Sequence, residues 1–215
     1  KLVSIKVTGH RETPIINVLS RSHNYPVEIR AKSGSWIAAN IAGLCHGSKV
    51  AIITDDNVKE LHGELLSGDL RAVGKDVRLF SITPGEQSKN LQTVKKLYSY
   101  LSNAGFSRYD AIIALGGGVV GDITGFVAST FLRGIKWIQV PTTSLSTIDA
   151  SVGGKTGVNT DFGKNMVGTF YPPKAVYIAL SHLATQSNQH HGSGLVEAIK
   201  IAICMDLVLF EKLFN

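Results

Sequence analysis

The run Leu115 to Asp122, LGGGVVGD, follows the apolar stretch Ala111 to Ala114 directly, and this junction constrains the fold more than any other part of the chain. An apolar run that ends in three glycines reads as a buried strand closed by a tight turn. Gly116, Gly117 and Gly118 lack a Cβ, so the main chain there can take positive φ and approach a ligand closely. The next residues, Val119 to Leu132, read as a helix whose first N–H groups are free for phosphate, with Asp122 in its first turn. Gly116, Gly118 and Gly121 satisfy G-x-G-x-x-G, but Gln139 and Val140 stand where an acid is expected about 20 positions later. The pattern outlines a dinucleotide or phosphate site of unusual form. The bland alternative is a glycine-rich turn that binds nothing.

Strands and helices alternate around this junction. Pro26 to Lys32, Lys49 to Thr54, Val77 to Thr83, Asp110 to Leu115, Lys136 to Val140 and Val176 to Leu180 read as strands. Ser35 to Gly43, Val58 to Leu66 and Leu91 to Ala104 read as helices. This order predicts an α/β fold with a mostly parallel sheet. Ligands in such sheets bind at the carboxyl ends of the strands. The polar turns at 55–57, 84–89, 116–122 and 141–144 all follow strands, so they should converge on one edge. From Gly194 onward the chain is apolar and helical, with Leu195, Ile199, Ile203 and Phe210 on one face, widened by Val196, Ala202 and Leu213. The expected organisation is an α/β domain over 1–180 and the start of a helical domain over 181–215, cut short.

Composition narrows the function. No apolar run approaches the roughly 20 residues that span a bilayer, and the opening KLVSIKVTGHRE lacks the apolar core of a leader. Cys45 and Cys204, far apart, form neither a disulfide framework nor a C-x-x-C metal site. A net charge of +6 raises nucleic acid as a partner. The cations are dispersed, however, and no basic cluster alternates with aromatics. Lys89, Arg133, Lys155, Lys164 and Lys200 lie beside glycines or polar turns, which favours a small anionic ligand.

Five further segments accompany the glycine run: PGEQSK (Pro84 to Lys89), FLRG (Phe131 to Gly134), PTTSLSTIDASVGGKTGVN (Pro141 to Asn159), GKNMVGTFYPP (Gly163 to Pro173) and GSGLVEAIK (Gly192 to Lys200). Together these resemble the 3-dehydroquinate synthases, sugar-phosphate cyclases with a glycerol-dehydrogenase-like fold. The resemblance covers the chain from about Asp55 to its end. It implies a Rossmann-like NAD-binding domain followed by a helical domain, NAD as cofactor, and a divalent metal, Zn²⁺ with Co²⁺ as a substitute. By resemblance, Glu86 and Lys89 touch NAD, and Gly117, Gly118, Val119, Val120, Gly121 and Asp122 carry its pyrophosphate. Thr142 and Thr143 hold the nicotinamide half, Lys155 and Lys164 lie near cofactor and substrate, and His182, Leu183, Ala184 and Thr185 add a further contact. Asp55 and Asn57 match the residues near the adenosine ribose, in place of the acid missing after the glycines. Asp149, Lys155, Asn165 and Lys200 match substrate positions, and Glu197 matches the first of three metal ligands. Arg133 matches an arginine that reaches the substrate phosphate in the neighbouring subunit of a homodimer.

The implied reaction takes a phosphorylated seven-carbon keto acid through transient oxidation by NAD⁺, phosphate elimination, re-reduction, ring opening and aldol closure. A phosphate and a carboxylate call for several cations, which Lys155, Lys164, Lys200 and Arg133 supply. Oxidising an alcohol calls for a Lewis acid held by Glu and His, and the substrate phosphate can itself take the proton in the elimination. Nucleic acid and membrane are not expected partners, and the expected location is cytoplasmic, or a plastid in a plant.

Each residue also has a structural alternative. Glu197 and Lys200 can be an i,i+3 ion pair worth about 0.2–0.5 kcal/mol. Thr142 and Thr143 can cap a helix, Asp149 can be a turn residue, Lys164 a solvated lysine and Cys204 plain core. The segment QSNQHH, Gln186 to His191, departs from the family, and His190 and His191 read as loop rather than as metal ligands. The two metal histidines have no counterpart, so this chain alone is expected to bind NAD without completing catalysis, its last helix exposing apolar surface. A sister cyclase, a metal-dependent alcohol dehydrogenase of the same fold and a non-catalytic NAD-binding module are the competing functions.

Overall fold

The computed structural model describes residues 4–8, 14–19 and 23–214. Of the stretch 1–12 searched for a leader, all but Ser4–Thr8 lies outside them. The described residues form an eight-stranded sheet in the order β1-β2-β3-β10-β7-β6-β4-β5. Its strands are β1 (Ser4–Thr8), β2 (Ile15–Leu19), β3 (Tyr25–Arg30), β4 (Lys49–Asp55), β5 (Asp76–Ile82), β6 (Ala111–Gly116), β7 (Lys136–Pro141) and β10 (Val176–Ala179). From β3 to β5 every neighbouring pair is parallel, while β1 and β2 add antiparallel strands at one edge. The predicted α/β class and mostly parallel sheet are therefore present. The antiparallel edge was not anticipated.

Period-two alternation builds two buried faces. Ala51 and Ile53 of β4, with Ile112 and Ala114 of β6, face α4 (Leu91–Asn103) and α5 (Gly118–Thr130). Val50 and Ile52, with Ile113 and Leu115, face α1 (Ser35–Leu44) and α3 (Glu64–Ala72). All eight strand residues are 0–1% exposed, so each large aliphatic among them stabilises the fold by roughly 1.5–3 kcal/mol. Chain order also sets where a ligand can enter. After β4 the chain moves outward to β5, then returns to β6 on the other side of β4. The carboxyl ends of β4 and β6 thus diverge at a topological switch point, where open α/β sheets hold their ligands.

Two helical expectations change. The helix expected over Val58 to Leu66 starts earlier and ends later: α2 (Asp56–Val58), a π-helical turn at Lys59–Gly63 and α3 run on from one another. Asp55 starts this run by accepting from Val58 N at 3.0 Å, and Gly68 inside α3 did not stop it. His190 and His191 are helical, not loop, because α6 (Asn188–Met205) begins before them. The Ser, Thr and Gly-rich stretch after Pro141 folds into a π-helical turn, Ser146–Ala150, and a hairpin of β8 (Lys155–Thr160) and β9 (Gly163–Phe170). The chain closes with α7 (Leu207–Phe214). As expected, the apolar face of α6 and α7 is open, with Val196, Ile203 and Leu207 more than 60% exposed.

One cap gives a direct test of this build. Asn90 Oδ1 accepts from Thr93 N at 2.9 Å and starts α4. Asn90→Ala should lower the unfolding free energy by about 1 kcal/mol, read from urea denaturation midpoints.

Candidate active site

The carboxyl ends of β4, β6 and β7 frame a cleft of about 660 Å³. Asp55 and Asn57 line it from the β4 end, and Gly117, Gly118, Val119 and Val120 from the start of α5. Thr142, Thr143 and Thr185 close it from the far side. Nine of the expected cofactor residues therefore meet in one place. The glycine run serves it differently from expectation. Gly116, Gly117 and Gly118 are not among the residues with positive φ; what they supply is room. A Cβ on Gly116 would stand 2.8 Å from the Val120 side chain, and one on Gly117 3.1 Å from Thr143 Cγ2. A Cβ on Gly121 would collide with Gln139 Nε2, which keeps α5 close against β7. At Gly118 the nearest atom is Ala150 Cβ at 3.6 Å, so the helix N-terminus stays open for an anion.

Thr142 and Thr143 divide between the two alternatives. Thr143 Oγ1 accepts from Ser146 N at 3.3 Å, as a cap does. Thr142 is buried, and its Oγ1 has no hydrogen-bond partner among the described residues. A buried hydroxyl left unpaired costs about 1–3 kcal/mol unless something meets it, and this one borders the cleft. Asp55, Asn57, the open α5 terminus and Thr142 together fit a dinucleotide.

A second cavity of about 480 Å³ lies behind the first, against the β8–β9 hairpin. Asp122, Asp149, Lys155 and Asn165 line it. Helix α5 begins at Gly118, so Asp122 falls just past the first turn and not at a phosphate position. Its carboxylate instead meets Lys89 Nζ at 2.5 Å, and the same ammonium donates to Asn165 Oδ1 at 2.5 Å. Burial pushes the Asp122 carboxyl up, and the Lys89 hydrogen bond and charge oppose that shift. Lys89 is buried between the two cavities and is not a wall of the cleft, whereas Pro84 and Gly85 of the same loop are. Glu86 faces the hairpin, its Oε1 accepting from Asn159 Nδ2 at 2.7 Å.

The remaining expected residues stand apart. Lys164 is exposed on β9 and lines neither cavity. Leu183 and Ala184 follow β10 without reaching the cleft lining. His182 is buried beneath the cleft floor in a small void shared with His62 and Asp69. Its ring lies 4.4 Å from that of His62. Burial, and secondarily the His62 charge, push its pKa down to about 4, while a hydrogen bond with the Pro141 backbone works the other way. Arg133 is exposed beyond α5 on a turn where Leu132 and Arg133 both take left-handed φ, 52° and 64°. Glu197 and Lys200 form the i,i+3 ion pair with each other, which raises the Lys200 pKa. Among the described residues no three His, Cys, Asp or Glu side chains gather to hold a metal. Glu197 by itself does not make such a site.

Several cleft residues were not marked in the sequence, His62, Gln186 and His190 among them. His62 lines the cleft and is 2.9 Å from Thr185 Oγ1 through Nε2. It lies two helical turns after Asp55, a spacing visible only once the helix is known to start at Asp56. Gln186 accepts from Ser144 N at 2.7 Å and donates to Ser144 Oγ at 3.0 Å. Ser144 Oγ then donates to His190 O at 3.0 Å, which brings His190 to the cleft wall. The atypical QSNQHH segment thus clamps the Thr142–Ser144 loop to α6.

The family model for the 3-dehydroquinate synthase N-terminal region matches residues 79–193, which spans β6, α5, both threonines and the hairpin. The chain belongs to the 3-dehydroquinate synthase family. The 3-dehydroquinate synthase of Enterococcus faecalis is 42% identical over 202 residues, covering 92% of this chain and 55% of that protein. That of Streptococcus suis is 45% identical over 183 residues, covering 85% and 50%. The chain therefore spans about half the length of the curated relatives it matches. Among solved structures, 2-epi-5-epi-valiolone synthase from Streptomyces hygroscopicus, with NAD⁺ and Zn²⁺ bound, aligns with a TM-score of 0.80. It is 32% identical, over 90% of this chain and 53% of its own. 2-Deoxy-scyllo-inosose synthase complexed with carbaglucose-6-phosphate, NAD⁺ and Co²⁺ aligns with a TM-score of 0.77 and 26% identity, over 86% and 50%. Among the described residues no helix is long and apolar enough to cross a membrane.

Proposed function

We propose that this chain is the nucleotide-binding part of a 3-dehydroquinate synthase, a carbon–oxygen lyase that converts 3-deoxy-D-arabino-heptulosonate 7-phosphate to 3-dehydroquinate and phosphate. The observation that carries the proposal is the pairing of two cavities across one buried cation. One is built like a dinucleotide cleft; the other gathers Asp149, Lys155 and Asn165 beside it. A net redox enzyme of the same fold is the weaker reading, because the neighbours named as dehydrogenases are under 25% identical while the named synthases reach 45%.

Bound NAD⁺ supplies a reversible hydride acceptor. The chain's own residues bind and orient. The N–H groups of Gly118, Val119 and Val120 meet the pyrophosphate, the Asp55 carboxylate and Asn57 meet the adenosine ribose, and Thr142 Oγ1 donates to the nicotinamide half. Lys155 places an ammonium at the second cavity to hold an anionic substrate, and Asp149 and Asn165 orient its hydroxyls. Lys164, Lys200 and Arg133 stand outside both cavities and belong, in this proposal, to the whole protein's substrate contacts, Arg133 reaching a neighbouring subunit of a homodimer. The strained turn supports that role, since left-handed non-glycine residues cost about 1–3 kcal/mol each and cluster at functional sites. Glu197 is proposed as one metal ligand of the whole protein; among the described residues no companion ligands gather around it. The proposed location is the cytoplasm.

The test is turnover. Full-length protein with NAD⁺ and Zn²⁺ should release phosphate from the seven-carbon substrate without NADH accumulating; steady NADH build-up would point to the dehydrogenase. The cofactor half has its own check. Thr142→Val keeps the buried shape and removes the hydroxyl, so NAD⁺ affinity by calorimetric titration should fall about fivefold to tenfold. An unchanged affinity would remove Thr142 from the site.

A further inference from the structure

The Pro84–Lys89 loop borders the cleft and is bonded to side chains that line the second cavity, although among the described residues none lines both. Pro84 and Gly85 border the cleft, and Lys89 Nζ reaches Asp122 and Asn165 on the other side. A loop of this kind needs something to fix its far end, and one residue meets it at two points and the hairpin at a third. Asn159, on β8, donates its backbone N–H to Lys89 O at 2.8 Å. Its Nδ2 donates to Glu86 Oε1 at 2.7 Å, and its Oδ1 accepts from Asn165 N at 2.9 Å. Asn165 is left-handed, with φ 58°, a conformation that asparagine tolerates better than most residues. The bond from Asn159 holds its main chain there, which leaves the Asn165 side-chain oxygen on Lys89.

We infer that Asn159 is a positioning residue for nucleotide binding: its side-chain amide ties Glu86 to Asn165, its backbone N–H holds Lys89, and together they fix the loop whose Pro84 and Gly85 border the cleft. The inference rests on the reading that the cleft binds NAD⁺. The chemistry requires an amide at this length. Aspartate keeps the acceptor for Asn165 N but turns the donor into a carboxylate against Glu86. Alanine removes both. Glutamine is one methylene too long for the contacts that β8 fixes. The relation can also be reversed, because a carboxylate at 159 facing an amide at 86 restores one donor and one acceptor.

The experiment is a double-mutant cycle on full-length protein, with NAD⁺ affinity read by titration calorimetry for the unsubstituted protein, N159D, E86Q and the E86Q/N159D pair. N159D should weaken NAD⁺ binding about tenfold, the loss expected when a hydrogen bond to a charged group becomes a repulsion. In the E86Q background the same N159D change should cost less than about twofold, since the pair is remade with its roles exchanged. A merely structural loss would not be rescued in this way. If N159D binds NAD⁺ as the unsubstituted protein does, or costs about tenfold again beside E86Q, the inference is overturned while the nucleotide reading stands. If the unsubstituted protein binds no NAD⁺, the nucleotide reading is overturned and this inference with it.

Discussion

Lys89→Met should lower the unfolding free energy by about 3 kcal/mol, read as a reduced urea midpoint near neutral pH. Methionine fills the space of the lysine stem but leaves the Asp122 carboxylate without its cation. Removing one partner of a buried ion pair costs about 3–5 kcal/mol. The low end applies because the Asp122 side chain keeps 25% of its exposure while that of Lys89 keeps 6%. Asp122→Asn in the same background should recover part of the loss, since a neutral amide tolerates the site. The pH response gives a second check. Asp122 already titrates high because of burial, and without Lys89 it should titrate higher still. A carboxyl raised in the folded state binds its proton more readily there, so Lys89→Met protein should gain stability relative to the unsubstituted protein as pH falls. A flat response would mean that the pair contributes packing and little electrostatics.

Acid should act on His182 in the opposite sense. Its pKa is lowered to about 4, with burial the main cause, so the folded state holds the neutral ring. The unfolded chain takes up the proton near pH 6.5. Stability contributed by the neutral ring is therefore complete above that value and is lost progressively as pH falls toward 4. The shift corresponds to ~3 kcal/mol over that window. His62, also lowered by burial, adds in the same direction, while Asp122 opposes it. Asp69 borders the same void but does not outweigh the burial. His182→Gln should flatten the curve, so the difference between the two proteins, measured by urea unfolding from pH 7 to pH 4, isolates this ring. Parallel curves would place the acid sensitivity elsewhere.

These groups mark where the sequence was legible. The βα core was, because β4 and β6 are continuous apolar runs and α4 carries Val94, Leu97 and Leu101 at helical spacing. The cleft was largely legible too, since its walls are short segments directly after strands. The β8–β9 hairpin was not. Its residues are mostly Thr, Gly, Asn and Lys, and β9 is exposed along most of its length, so no alternation announces a strand. Its register rests instead on side chains distant in sequence, such as Thr156 with Thr169 and Asn159 with Glu86. Lys89 and Glu86 were rightly marked as site residues, but their partners are 33 to 76 positions away. Only the fold reveals that Lys89 ties the loop beside the cleft to side chains of the second cavity, and that Glu86 meets the hairpin. The antiparallel edge strands β1 and β2 escaped because they are short and lie outside the βα repeat.

The hairpin also divides the molecule by how easily it opens. The cleft stands on central parallel strands whose backbone is laddered on both sides and buried on both faces. The second cavity leans on a two-stranded ribbon with Phe162 90% exposed and Phe170 80% exposed. Ribbons of this kind unfold locally at a fraction of the global free energy. Amide exchange should accordingly be slow in β4, β6 and β7 and much faster in β9. One ligand would dock on a nearly rigid surface, and the next would meet a wall that a few side-chain bonds hold in place.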